Sequence, residues 1–275
     1  MIESKVDYHL HTYYSDGSMS PTDIVKRANE LEYMEIAITD HDGIDGVKEA
    51  QIAGKALGIN VISGIELSAE YVNEEISQEP LSLHILGYRI DIKNKELLKE
   101  LEDIREKRKA RNDKLLEVLS NMGYKLSIDD LSFEEESDYI GKPVIARALL
   151  NKGYISYARE AFEDGKFLES PEAKGVKKDK ISAEKAINLI KVAGGTPVLA
   201  HPAKIKRLGE RGSEQFYDNL SKLLRALKIM GLKGIECYHT DHTEQEELKL
   251  VELAEKYHLH ITRGSDYHGP EFEKK

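Results

Sequence analysis

The chain has 275 residues and a mass of 31.1 kDa, enough for one large domain or two modest ones at about 150 residues each. Acidic side chains number 50 against 40 basic ones, a formal charge of −10, which argues against a general duplex-binding protein with its usual basic excess. A hydrophobic content of 40% excludes global disorder, and a single cysteine, Cys237, excludes a disulfide framework or a cysteine-rich zinc ribbon.

Residues 1–95 alternate short apolar runs with helical stretches. The first strand, Lys5-Val6-Asp7-Tyr8-His9-Leu10-His11, is followed by Ser20-Pro21-Thr22-Asp23, which opens a helix with proline just inside its start. Ile36-Ala37-Ile38-Thr39-Asp40-His41 reads as a buried strand, 46–57 as a helix, 60–66 as a strand ending in Glu66, and 83–88 as a strand carrying His84. Strands alternating with helices predict βα units and a parallel sheet.

Residues 96–178 read as a helical insertion. A long charged helix over 95–122 shows an apolar stripe of Leu97, Leu98, Leu101, Ile104, Leu115, Leu116 and Leu119, and shorter helices follow at 143–152 and 157–162. Over 179–275 the βα alternation returns, with helices at 183–193 and 244–257. The strands here are Thr196-Pro197-Val198-Leu199-Ala200-His201, Leu232-Lys233-Gly234-Ile235-Glu236-Cys237 and 260–266, the last ending in Asp266 with His268 just beyond. No apolar run approaches the ~20 residues of a membrane helix, and Met1-Ile2-Glu3-Ser4-Lys5-Val6 lacks a signal-peptide layout. A cytoplasmic protein with no membrane partner is expected.

Ten histidines are present, most of them in short polar clusters. His9 and His11, two apart on a strand, point to one face and are able to grip one ion. Each of the seven strands delivers an imidazole or carboxylate near its C-terminal end, the end that hosts active sites in parallel barrels. So many buried, unpaired polar groups are costly without a cation. Imidazole with carboxylate and no thiolate suits zinc, manganese or iron, and the donor count implies two or three divalent ions. A second His-x-His, His258-Leu259-His260, lies about 20 Å from that end of its strand, at ~3.3 Å per residue, and is assigned to the opposite rim.

Asp7-Tyr8-His9-Leu10-His11-Thr12 with Ser15-Asp16-Gly17, then Ile38-Thr39-Asp40-His41, Gly64-Ile65-Glu66, Leu199-Ala200-His201-Pro202 and Gly264-Ser265-Asp266-Tyr267-His268-Gly269, resembles the PHP (polymerase and histidinol phosphatase) domain family. The resemblance implies a distorted seven-stranded βα barrel of the α/β class, interrupted by the helical insertion. It implies that His9, His11, Glu66 and Asp266 hold one ion, that Glu66 bridges to a second held by His84 and His201, and that Asp16, His41 and His268 hold a third. The segment Gly141-Lys142-Pro143-Val144-Ile145-Ala146-Arg147, followed by Glu160-Ala161-Phe162, is similar to the insert of a bacterial branch that includes nucleoside 3′,5′-bisphosphate phosphatases and 5′→3′ exoribonucleases. Lys142 and Val144 stand where that branch commonly has arginine and histidine.

The resulting expectation is a phosphoester hydrolase using metal-activated water on a nucleotide or short single-stranded oligonucleotide. Arg147, Lys142, Arg108 and Arg105 are the candidate phosphate contacts, and Asp40 and His239 the candidates for orienting groups or shuttling protons. Cys237 reads as a structural thiol, and Tyr13 and Tyr14 either stack on a base or pack. A histidinol-phosphate-type phosphatase, an amidohydrolase-like hydrolase and a non-enzymatic metal-binding module are the competing readings.

Overall fold

A computed structural model describes residues 5–131 and 140–270; Met1–Ser4, part of the leader reading above, lie outside them. In chain order the first half comprises β1 (Val6–Leu10), α1 (Pro21–Glu30), β2 (Glu35–Ile38), α2 (Asp45–Leu57), β3 (Asn60–Asn73), β4 (Ser77–Tyr88) and α3 (Lys95–Asn121). The second half comprises α4 (Lys142–Asn151), α5 (Pro171–Gly175), β5 (Ile181–Ser182), α6 (Ala183–Val192), β6 (Thr196–Leu199), α7 (Glu214–Met230), β7 (Gly234–His239), α8 (Glu244–Lys256) and β8 (His260–Gly264). Local chemistry sets the helix starts. Ser20 accepts from Asp23 N ahead of Pro21, Asn94 caps α3 through Leu97 N, and Thr243 with Glu246 forms a capping box on α8.

The strands follow one path, β1-β2-β3-β4-β6-β7-β8, with β5 appended to β3. Past β8 the chain returns to β1: Leu10 bridges Tyr267, and His11 N donates to Tyr267 O at 3.0 Å. The sheet thereby nearly closes into a seven-stranded barrel.

The sheet is mixed rather than parallel, which corrects the expectation from the βα alternation. β4 pairs antiparallel with both β3 and β6. The physical reason is the short turn at 74–76, because only an antiparallel neighbour can be reached without a crossover. β3 and β4 are also longer than the 60–66 and 83–88 runs and extend beyond the barrel as a hairpin. His84 therefore lies inside a strand running against the others, not at a C-terminal strand end.

The main core contains Ile36, Ile38, Ile65, Leu67, Leu83, Ile85, Ile187, Leu223 and Leu227, joined by Leu97, Leu101 and Ile104 from the first half of α3. A second core gathers Leu115, Leu116 and Leu119 from the other half of α3 with Ile145, Leu149, Phe167 and Leu168. At 1.5 Å per residue α3 is about 40 Å long, so one helix runs from the barrel layer into the insertion's own core. Among the described residues, no helix is long and apolar enough to cross a membrane.

Candidate metal centre

Strand alternation turns His9 and His11 inward while Leu10 joins the core. From β3, Glu66 reaches the same space, clamped to the β2 loop by Glu66 N donating to Asp40 O (3.1 Å) and Asp42 N donating to Glu66 O (2.9 Å). Glu66 is fully buried and its two oxygens face different partners. Oε1 lies 2.9 Å from His84 Nδ1 and 3.1 Å from His201 Nε2. Oε2 lies 3.3 Å from both His9 Nε2 and His11 Nε2, and 2.9 Å from His41 Nδ1. Asp266 Oδ1 completes the His9–His11 side at 3.4 and 3.3 Å. Asp16 sits beyond, with Oδ1 3.2 Å from His268 Nε2 and 3.6 Å from His11 Nδ1, and Oδ2 3.7 Å from His41 Nε2.

All nine predicted ligands are thus brought into one continuous cluster. Two groups in it offer four donor atoms each within ligand spacing, His9–His11–Glu66–Asp266 and His11–Asp16–His41–His268. His84 and His201 converge on Glu66 Oε1 with their own nitrogens 3.3 Å apart.

Several of these atoms are buried yet have no hydrogen-bond partner: His9 Nε2, His11 Nε2, Asp16 Oδ1, His41 Nδ1 and Glu66 Oε2. They lie within ion-pair distance of one another but are not aligned to bond mutually. That is the geometry of donors aimed at a shared point. Ligand bonds of about 2.0–2.2 Å separate neighbouring donors by roughly 3–3.5 Å, and the observed spacings of 2.9–3.7 Å centre on that range. The residues fit a set of divalent ions.

Charge balance agrees. Burial penalises every ionised group here, and for Glu66, Asp266 and His11 the mixture of signs outweighs it. Against burial, the imidazoles of His41, His84 and His9 hold Glu66 far below the usual carboxylate range, and His9 does the same for Asp266. Burial alone would depress His11; the carboxylates of Asp266 and Glu66, each 3.3 Å from its Nε2, instead raise it to about 10. His84 and His201 are lowered, burial being the main cause. Without a cation the cluster keeps protons on His9 and His11 to neutralise its carboxylates.

The neighbouring residues orient the donors. Glu236 Oε1 receives His9 Nδ1 at 3.0 Å and its Oε2 receives His201 N at 2.7 Å, which fixes His9 with Nε2 facing the cluster. Lys204 Nζ lies 2.8 Å from Asp266 Oδ2, leaving Oδ1 to the centre. Asp42, His201 and Asp266 adopt positive φ values of 50°, 28° and 55°, strain on the order of 1 kcal/mol or more each that the surrounding bonds must hold. Glu236 was legible as a strand-end acid but not as an orienting group; Lys204 carried no sequence signal beyond following His201-Pro202.

Of the other predicted site residues, His239 borders the cluster and the rest fall outside it. Asp40 is committed to Thr12 N (2.7 Å), Thr12 Oγ1 (2.8 Å) and Ser15 Oγ (2.7 Å), so it brackets the loop between His11 and Asp16 rather than facing the cluster. His239 is buried, accepts from Asp241 N at 2.9 Å and places Nε2 3.5 Å from Asp266 Oδ2. Arg108 is buried against Asp42 at 2.7 Å. Arg105 pairs with Asp45 at 3.0 Å on the surface, and Lys142 binds Glu169 Oε1 (2.8 Å) and Leu168 O (3.1 Å) within the insertion. Arg147 is half-buried on α4. His260 opens β8, at the end away from Gly264 and the cluster.

With this geometry in hand, comparison with known proteins is decisive. The PHP domain profile matches residues 7–227. The chain belongs to the PHP domain family. It is 29% identical to a 5′-3′ exoribonuclease of Haemophilus influenzae over 97% of this chain and 90% of that protein. It is 28% identical to a 3′,5′-nucleoside bisphosphate phosphatase of Chromobacterium violaceum over 97% of this chain and 88% of that protein. A putative metal-dependent phosphoesterase of Bifidobacterium adolescentis, 29% identical, superposes with a TM-score of 0.82 over 97% of this chain and 88% of that one.

Proposed function

We propose that this PHP protein is a metal-dependent phosphoesterase that hydrolyses phosphate esters of nucleotides or of short single-stranded oligonucleotides. The observation that carries the reading is the set of buried, unpartnered donor atoms gathered around Glu66 and Asp266. The names of its relatives, which act on RNA ends and on nucleoside bisphosphates, support the substrate class.

In this reading His9, His11, Glu66 and Asp266 hold one ion, Glu66, His84 and His201 a second, and Asp16, His41 and His268 a third. Divalent ions held there would supply Lewis-acid chemistry, lowering the pKa of a bound water and offsetting charge on phosphoryl oxygens. The chain's own residues do the positioning. Glu236 fixes the ring of His9, Asp40 pins the loop that carries Asp16, and Lys204 brings a positive charge to the mouth beside Asp266. The acidic surface elsewhere keeps general polyanion binding weak, so recognition of the substrate is local to the mouth.

The test is phosphate release by chelator-stripped protein resupplied with Mn²⁺, on adenosine 3′,5′-bisphosphate, a short 5′-phosphorylated RNA and histidinol phosphate. Preference for either nucleotide substrate is expected. Preference for histidinol phosphate overturns the substrate class, and ion binding without turnover of any phosphoester overturns the reaction.

A further inference from the structure

The β3–β4 hairpin has two unlike faces. Leu67, Ala69, Leu81, Leu83 and Ile85 lie in the core. Glu66, Ser68 and Glu70 share the other face by alternation, and register sets Ser68 opposite His84 and Glu70 opposite Ser82. This polar face begins at the metal centre and climbs outward, one step every ~7 Å.

Two lysines reach onto it from the segment leading into β5, which pairs with β3 at Ala69 and Glu70. Lys178 Nζ lies 2.7 Å from Ser68 Oγ and 3.0 Å from Asp42 Oδ2. Lys180 Nζ donates to Ser82 Oγ, one step further from the centre. Among the described residues, Lys180 has no carboxylate within ion-pair distance. Burial and the nearby charge of Lys178 lower its pKa, against the pull of Glu70 and Asp42. A half-buried ammonium whose partner is a neutral hydroxyl, with a second ammonium beside it, is poorly compensated as it stands. An anion between the two lysines and the two serine hydroxyls compensates it.

We propose that Lys178, Lys180, Ser68 and Ser82 form a second anion site that takes a phosphate of the substrate other than the one being hydrolysed. The inference rests on the phosphoesterase reading and deepens it. That phosphate comes either from a mononucleotide carrying two phosphates or from the next linkage of an oligonucleotide. Lys180 is the residue to test, because Lys178 also holds Asp42 beside His41.

The experiment is fluorescence anisotropy of a labelled 5′-phosphorylated RNA pentamer on the full chain after chelation, titrated over NaCl concentration. Wild type, Lys180→Ala and Lys180→Arg are compared, with AMP and adenosine 3′,5′-bisphosphate as competitors. For the alanine variant the slope of log affinity against log salt is expected to flatten by about 0.7, the value of one lost single-strand phosphate contact. Lys180→Arg is expected to retain the wild-type slope. If the bisphosphate also loses its advantage over AMP as competitor, the mononucleotide uses the site; if the RNA slope alone changes, the site serves oligonucleotides. Equal slopes with unchanged competition, or no salt-sensitive RNA binding by the wild type, overturns the proposal. Failure of the phosphoesterase reading shows separately, as no phosphate release by Mn²⁺-loaded wild type.

Discussion

Glu236 lies 3.0 Å from His9 Nδ1, and its other oxygen receives the backbone N–H of His201. One buried carboxylate thus orients an imidazole on β1 and anchors the end of β6, two elements that both supply the cluster. Replacing Glu236 by Gln keeps the volume but removes the charge that fixes the tautomer. Divalent affinity is expected to fall by about 10–100-fold, the usual effect of losing such a partner, as read by metal titration. Unchanged affinity would show that His9 needs no such support.

Gly264 meets both of these residues. A Cβ built there lies 2.6 Å from Glu236 Oε1 and 3.0 Å from His9 N, and closer still to the His9 Cβ. Gly264→Ala must push His9 aside, so overpacking of about 1–3 kcal/mol is expected in denaturant unfolding, together with weaker ion binding. An alanine variant with wild-type stability and affinity would contradict the packing described.

Ion binding is expected to release protons. His11 is raised to about 10 in the free cluster, where the adjacent carboxylates of Asp266 and Glu66 override burial. At neutral pH an incoming cation must displace that proton, so affinity rises with pH. Calorimetry in two buffers of different ionisation enthalpy measures the release; no net release would sink this account. In the metal-free protein His11 by itself is expected to contribute the opposite trend to stability. The contribution of His11 is complete below its unfolded pKa of about 6.5 and is lost as pH rises through about 10.

Cys237 is fully buried on β7. Burial, with Glu236 and Glu247 adding negative charge, pushes its thiol up to about 12. It is expected to resist a thiol reagent such as Ellman's at pH 8 in the native protein and to react fully once unfolded. Rapid native labelling would contradict its placement.

Much of the centre was legible because strand periodicity is a local property. His9-x-His11 points one way whatever the rest of the chain does, and Glu66, His201 and Asp266 each close a short run that reads as a strand, although β3 continues past Glu66 to Asn73. Strand direction is not local. The 74–76 turn, Glu74-Glu75-Ile76, has none of the glycine or Asn-Gly chemistry that announces a hairpin, so the reversal of β4 was unreadable. α7 carries a legible helical period, with Phe216, Leu220, Leu223, Leu224 and Leu227 all buried along one face. The arginines of α3 suggested a phosphate surface, but a charge run does not disclose its partners, and Arg108 is buried against Asp42. Lys178 and Lys180 sit in an irregular stretch where only pairing of β5 with β3 reveals what they face.

In the proposed reading Glu66 would help hold more than one divalent ion, and those ions would supply the chemistry of phosphoester hydrolysis. The most direct test titrates Mn²⁺ into chelator-stripped protein and follows phosphate release from a nucleotide substrate per equivalent of ion bound. Turnover is predicted to be negligible in the stripped protein, to become complete only beyond the first equivalent, and to vanish in Glu66→Gln. Full turnover by the stripped protein, or by Glu66→Gln, would contradict it.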